Sequence, residues 1–344
     1  MRLGAGGCLP YNNSPCAASE VMEVPDVVTL TMNPALDVST SAERVVPTDK
    51  VRCGAAQYDP GGGGINVARV VQILGGQALA VYPAGGPTGS MVERLLGRMN
   101  FPSRHVPTEG STRESFTITE RSSDLQYRFV LPGPELSPAE RRSCLDELSR
   151  AADGARIVVL SGSLPPGIPP EFVQDAADIS NKLGCRFVLD TSGEALRHMK
   201  SGAYLIKPSL RELREWVGKD LRTEDEQIAA AHRLIGQGVG EVMIVSLGAD
   251  GALLVTREGY ERLAPVQVPV CSAVGAGDSM VAAVCFGLVQ GLDLRHAVRL
   301  GMAAGAATLM TPGTGLCRRE DVEHLYAQLI ASRPVGPLTA IGER

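Results

Sequence analysis

Val274-Gly275-Ala276-Gly277-Asp278-Ser279, followed at once by the apolar run Met280 to Val289, joins an anion site to an acid. Glycine tolerates the backbone angles of a sharp turn, so several N–H groups can converge on one point, and the helix that follows adds the positive end of its dipole. Gly275, Ala276 and Gly277 would then stabilise negative charge. Asp278, at the helix start, could take a proton from a hydroxyl attacking a phosphoryl group while those amides hold the transition-state oxygens. Aspartate is also a common helix cap, and the hexapeptide alone supports that plainer role equally well.

A second glycine turn, Asp59-Pro60-Gly61-Gly62-Gly63-Gly64-Ile65-Asn66-Val67-Ala68-Arg69, also opens a helix-like run. Its glycines permit close approach of a polyol or phosphate to the backbone. The spacing is not the GxGxxG of a dinucleotide site, and no clear buried strand precedes it.

The elements that must carry these turns alternate along the chain from Asp26, apolar strand-like runs with amphipathic helix-like runs, the pattern of a mainly parallel sheet covered by helices. Strands are predicted at Val27 to Met32, Ala78 to Tyr82, Arg156 to Leu160, Arg186 to Leu189, Tyr204 to Ile206, Val242 to Ser246 and Ala252 to Thr256. Helices are predicted at Asn66 to Leu74, Ser90 to Met99, Pro170 to Leu183, Leu210 to Val217, Glu224 to Ile235, Asp278 to Gln290, Arg295 to Met310 and Asp321 to Ser332. Thr223 with Glu226 is a capping box. Phe116 to Thr119 and Gln126 to Val130 alternate apolar with polar residues around Ser122-Ser123-Asp124, an antiparallel hairpin that breaks the rhythm. With Lys50 to Tyr58 as a third strand, it could form a small sheet acting as a lid that excludes water, or be a mere decoration.

The chain of 344 residues is long enough for a large core, and its net charge of -5 argues against general affinity for nucleic acid or acidic membranes. Eight cysteines fall without a CxxC pair and five histidines without metal-ligand spacing, so neither set is given a role, and the cysteines read as reduced thiols of a cytoplasmic protein. No apolar run reaches the ~18 residues of a membrane span. Residues 1–21 show no periodicity and read as a disordered extension, 22–333 as one domain with lid segments near 47–60 and 111–132, and 334–344 as a flexible tail.

Taken with Asn33-Pro34-Ala35-Leu36-Asp37, Ser161-Gly162-Ser163-Leu164-Pro165-Pro166-Gly167, Lys207-Pro208 and Ser246-Leu247-Gly248, the two glycine turns make the chain resemble the ribokinase-like (PfkB) carbohydrate kinases from about Val24 to Ser332. Within the family it is most similar to the minor-type bacterial 6-phosphofructokinases, through Pro60 to Asn66, Tyr127-Arg128-Phe129-Val130, Ser192-Gly193-Glu194-Ala195-Leu196 and Val274 to Met280. Relatives acting on fructose 1-phosphate or tagatose 6-phosphate usually carry a lysine where this chain has Gly63.

The resemblance implies a doubly wound, mainly parallel α/β sheet with a small β-sheet lid, and an ATP- and Mg2+-dependent kinase for fructose 6-phosphate. A kinase for fructose 1-phosphate or tagatose 6-phosphate is the alternative, and a sensor that has lost catalysis comes from another class. Asp278 would be the base, with Gly275, Ala276 and Gly277 as the anion hole. Asp37, Gly62, Gly63 and Asn66 would hold sugar hydroxyls, with Ser161 near the sugar, while Lys50, Arg52 and Arg113 would neutralise the substrate phosphate. For each of these three cations, residue type alone supports a solvated surface charge. Lys207, Ser246, Gly248 and Gly251 match positions lining ATP, and Met302 and Ala306 match the adenine wall, although their spacing of four is also that of core packing. Ser209 stands where the family carries Asn in an Asn-x-x-Glu motif for magnesium and its waters, and Glu212 keeps the carboxylate. Ser272, Val274 and Gly313 match a monovalent-cation site for K+. The family also implies a homodimer paired through the lid.

Overall fold

The structure, a computed structural model, describes residues 24–332 and 338–341. Short apolar runs such as Val27–Leu30 and Ile157–Ser161 are buried at every position, as strands are when helices cover both faces of a parallel sheet. In chain order the strands are β1 (Val27–Leu30), β2 (Ala35–Ala42), β3 (Gln57–Gly61), β4 (Ala78–Ala84), β5 (Ser103–Pro107), β6 (Arg113–Glu120), β7 (Gln126–Val130), β8 (Ile157–Ser161), β9 (Arg186–Asp190), β10 (Ala203–Ile206), β11 (Gly240–Ser246), β12 (Ala252–Val255) and β13 (Tyr260–Leu263). The helices are α1 (Gly63–Ile73), α2 (Gly86–Arg98), α3 (Pro138–Ala151), α4 (Phe172–Lys182), α5 (Gly193–Arg197), α6 (Leu210–Val217), α7 (Glu224–Gly236), α8 (Ala276–Val289), α9 (Leu294–Leu309) and α10 (Arg319–Ser332).

The main sheet runs β13-β12-β11-β10-β9-β8-β1-β4-β5. From β11 to β5 the strands are parallel, and β12 and β13 finish one edge antiparallel. The chain builds outward from β1 through β4 and β5, then builds the other way from β8, so strand order reverses between β1 and β8. Open sheets of this kind bind ligands at such a reversal, in the crevice outside the carboxyl ends of the strands. Alternate residues serve opposite layers: Val27, Ala80 and Val159 join the core under α1, α8 and α9, whereas Val28, Val81 and Val158 join the core under α3, α4 and α7. This is the doubly wound α/β architecture expected.

A separate sheet, β3-β2-β6-β7, forms the lid. The predicted hairpin is β6–β7, with Asp124 at φ 56° in its tip. Lys50 to Tyr58 is not a strand, because the chain there makes only an isolated bridge from Cys53 to Ala42 before pairing begins at Gln57. The central lid strand is instead β2, which the sequence reading treated as a motif rather than an element; it pairs parallel with β6 and antiparallel with β3. α3 was also unforeseen, being largely polar, although Ser137 and Glu140 form a capping box at its start. The capping box predicted at Thr223 and Glu226 starts α7. Residues 1–21 lie outside the described residues. Within 334–344, expected to be a flexible tail, residues 338–341 are described, and Thr339 exchanges two backbone hydrogen bonds of 2.9 Å with Tyr260. No described helix is long and apolar enough to cross a membrane.

Candidate active site

The cleft floor is the start of α8. Gly275 caps the helix in the left-handed region (φ 77°), a conformation that a side chain would strain, and turns the chain so that the first helical amides face the cleft. The first intrahelical bond is from the Ser279 amide to the Gly275 carbonyl (2.8 Å), leaving the amides of Ala276, Gly277 and Asp278 without helical acceptors. Asp278 does not cap the helix with its side chain. Its Oδ2 accepts a hydrogen bond of 2.9 Å from Asn66 on α1, so the two glycine turns meet here. The Asp278 carboxyl is pushed up to about 7, first by burial and then by the Asp190 carboxylate, against the pull of Asn66 and Lys207. That places a proton acceptor near neutral pH.

Asp190, the last residue of β9, pairs with Lys207 at 3.0 Å between Nζ and Oδ1. Burial pulls the Lys207 ammonium down, but Asp190, Asp278 and Glu212 more than offset this and hold it above its usual range. Lys207 Nζ lies 3.5 Å from the point where a Cβ on Gly277 would sit, so a charged ammonium stands beside the free amides of the α8 start. Ser209 and Glu212 form a capping box on α6, the Ser209 amide donating to Glu212 Oε2 (2.8 Å) and the Glu212 amide to Ser209 Oγ (3.2 Å). This bond engages one oxygen of Glu212 and turns the Ser209 hydroxyl toward the helix.

On the sugar side, the second glycine turn lies across the carboxyl ends of β1 and β8. A Cβ on Gly63 would collide with Ser161 Oγ and stand 2.8 Å from the Gly162 nitrogen. Ser161 Oγ, Thr31 Oγ1 and Asn33 Oδ1 are buried without hydrogen-bond partners, so the turn offers three unpaired polar atoms that a ligand rich in hydroxyls could satisfy. Asp37 on β2 overhangs Gly61, and its carboxyl is pushed up to about 6 by burial, tempered by Arg113, Arg128 and Arg69. Arg113 donates to the Asn33 carbonyl through Nε (3.2 Å) and Nη2 (3.1 Å), which anchors the foot of the lid hairpin beside β1. Lys50 and Arg52 are exposed in the loop 43–56, and neither is among the charges that act on Asp37.

Ser246, Gly248, Gly251, Met302 and Ala306, expected to line the nucleotide, share one cavity of about 480 Å³ that ends on Ala276 and Gly277. Val266, Val268 and Val270 complete an apolar slot of a size suited to a small ligand. Ser272 Oγ donates to the Gly313 carbonyl (2.7 Å) and accepts from the Val274 amide (3.3 Å), which gathers the three expected monovalent-cation residues beside the anion hole. Among the described residues, no three His, Cys, Asp or Glu side chains cluster to hold a metal by themselves.

Residues 27–321 match the model of the pfkB family carbohydrate kinases. The chain belongs to the pfkB family. Its sequence is 54% identical over 312 residues to the ATP-dependent 6-phosphofructokinase isozyme 2 of Mycobacterium tuberculosis, covering 91% of this chain and 92% of that protein. Its structure is similar to phosphofructokinase-2 from Escherichia coli in complex with potassium (TM-score 0.85, 40% identity, 90% of this chain and 100% of that one). The complex of that enzyme with fructose-6-phosphate matches at a TM-score of 0.84 and 38% identity, with the same coverage.

In this pfkB-family cleft, two charged residues escaped the sequence reading. Asp190 gives no local motif, but the register that sets it beside Ser161 at the carboxyl edge of the sheet could have pointed to it. Arg128 lies in a segment quoted only for its resemblance. Thr117 pairs with both Ser39 and Arg128, so alternation puts Arg128 on the Asp37 face of the lid.

Proposed function

We propose that this pfkB-family kinase transfers the γ-phosphoryl group of ATP to the 1-hydroxyl of fructose 6-phosphate, giving fructose 1,6-bisphosphate and ADP. One observation carries the reading: a carboxyl with its pKa raised to about 7, held by Asn66, at the mouth of a helix start with free amides. The sugar hydroxyls rest on Asp37, Asn66, Ser161 and the Gly62–Gly63 backbone. Arg113 and Arg128 face the 6-phosphate, with Lys50 and Arg52 supplied by the loop 43–56. ATP lies in the slot of Met302 and Ala306 with its phosphates toward Lys207 and Gly277. Asp278 takes the proton of the attacking hydroxyl, and the amides of residues 276–278 stabilise the charge on the transferring group.

The free oxygen of Glu212, with Asp190 in reach of the same charges, suits a Mg2+ ion held through its waters, which neutralises phosphate charge when bound. The oxygens of Ser272 and Gly313, with the turn at Val274, suit K+. The substrate choice is supported by the 54% identical relative and by Gly63, which leaves the turn without a lysine.

The lid also supports a homodimer. Tyr58, Val38, Phe116 and Phe129 form a cross-strand row on the face opposite Asp37, buried at Val38 in its centre and exposed at its two ends, Tyr58 (44%) and Phe129 (50%). Such an apolar row between two edge strands suits a second copy. Asp278→Asn should leave both KM values nearly unchanged and lower kcat by on the order of 10²- to 10⁴-fold. A near-normal kcat would reduce Asp278 to a structural residue.

A further inference from the structure

We infer that Gln126 is a positioning residue, the clasp through which the lid hairpin holds the loop that leads into the anion hole. Gln126 opens β7 directly after the hairpin tip, and its side chain crosses from the lid to the loop 271–274. Its Nε2 donates to the Cys271 carbonyl (3.4 Å) and to Thr119 Oγ1 (3.5 Å) on its own hairpin, while its Oε1 faces Ser272 Oγ at 3.2 Å. The amide therefore reaches the body through both its donor and its acceptor ends, while a second N–H contact anchors it in the lid.

What it touches matters more than the contact itself. Ser272 is 3% exposed, and its hydroxyl also meets the Gly313 carbonyl at 2.7 Å and the Val274 amide at 3.3 Å. Val274 runs straight into Gly275, the cap of α8. A hydroxyl has one proton, so Ser272 divides it between Gln126 and Gly313. Moving the hairpin thus changes how firmly the 272–275 turn is tied. The Gly313 turn is linked to the lid a second time, Thr314 Oγ1 donating to Asp59 Oδ2 on β3 at 2.7 Å. The sugar side of the lid is fixed separately by Arg113 on Asn33, so a sugar that orders β2 and β6 also sets Gln126 against the turn. Gln126 lies outside both ligand positions, and its effect is to make the two ligands favour one another.

This inference rests on the proposed site, and calorimetry on the full chain separates the two. The Kd of a non-hydrolysable ATP analogue is measured with and without saturating fructose 6-phosphate. In the unaltered enzyme the sugar phosphate should tighten the analogue about tenfold, within the usual range of coupling between sites. In Gln126→Ala each ligand alone should bind within about twofold of normal, the melting temperature should hold, and the mutual tightening should vanish. The double variant with Ser272→Ala should lose no more coupling than Ser272→Ala alone, since residues acting in one network are not additive. Coupling that survives in Gln126→Ala, or losses that add in the double variant, would overturn the inference. So would a lowered melting temperature with both ligands weakened singly, which is a structural role only. An unaltered enzyme that binds neither ligand would overturn the site reading itself.

Discussion

Replacing Asp190 by Asn tests the electrostatics of the cleft through the pH at which the base fails. The Asp278 carboxyl is pushed up to about 7, chiefly by burial and next by the Asp190 carboxylate. The substitution removes that negative charge and leaves Lys207 without its 3.0 Å partner, so its positive charge acts more fully on Asp278. Both changes favour the ionised form, and the pKa of Asp278 should fall. A nearby like charge is worth about one pKa unit or more, ~1.4 kcal/mol, so a downward move of about one unit is expected. A base works only when ionised. In the unaltered enzyme kcat/KM should therefore decline as pH drops through about 7, and in Asp190→Asn the same limb should lie about one unit lower. Asp37, pushed up to about 6 by burial, steepens the lower part of the limb in both proteins. The profile of kcat/KM reports the ionisations of the free enzyme. Asp190 also stands near the proposed magnesium position, so the plateau of the variant should drop, but its height is not the readout. A coupled ADP-release assay stepped across pH locates the limb. A limb that stays in place or moves up would refute the charge reasoning.

Asp278→Asn should stabilise the fold above neutrality. A carboxyl with a folded pKa of about 7 against its ordinary 3.8 costs stability progressively as pH rises between those values, up to ~4 kcal/mol before allowance for solvent in the cleft. Scanning calorimetry should find the variant several degrees higher in Tm at pH about 8, with the gain gone near pH 4; an equal Tm across that range would contradict the raised pKa. Gly63→Ala drives a Cβ into Ser161 Oγ and the Gly162 nitrogen, so kcat/KM for fructose 6-phosphate should fall by on the order of 10²-fold with a modest loss of Tm. Normal kinetics would show that the turn has room to spare. Ala306→Phe fills the apolar slot and should raise KM for ATP about tenfold or more while KM for the sugar phosphate holds, and an unchanged KM for ATP would move the adenine elsewhere.

Legibility in the sequence followed how local the physical cause was. The ends of α6 fall where the sequence predicted them, and local chemistry marks both: the Ser209–Glu212 capping box, which the sequence analysis took only as a magnesium motif, and the left-handed Gly218. The buried strands β1, β8, β9 and β10 were found because parallel strands covered on two faces are almost purely apolar. β2 was missed because its residues after Val38 are Ser-Thr-Ser-Ala, which look like a loop until β3 and β6 pair on either side. The Asp278 turn drew notice through its own six residues, but these left a base and a helix cap equally open until the fold showed no side-chain cap there. Asp190 drew no notice, because a single carboxylate becomes functional only when the sheet register brings it to Lys207. The Lys50 and Arg52 assignments came from resemblance alone, and their place in an exposed loop is a tertiary fact that no local pattern encodes.

The central claim is the substrate. It joins the carboxyl of Asp278 to the lid arginines and to a glycine turn that lacks lysine. A coupled ADP-release assay across fructose 6-phosphate, fructose 1-phosphate and tagatose 6-phosphate measures it directly. The highest kcat/KM is expected for fructose 6-phosphate, with Arg113→Ala eroding that value mainly through KM, since a phosphate contact remote from the reacting oxygen is felt alike in ground and transition states. A higher kcat/KM for fructose 1-phosphate or tagatose 6-phosphate would contradict it.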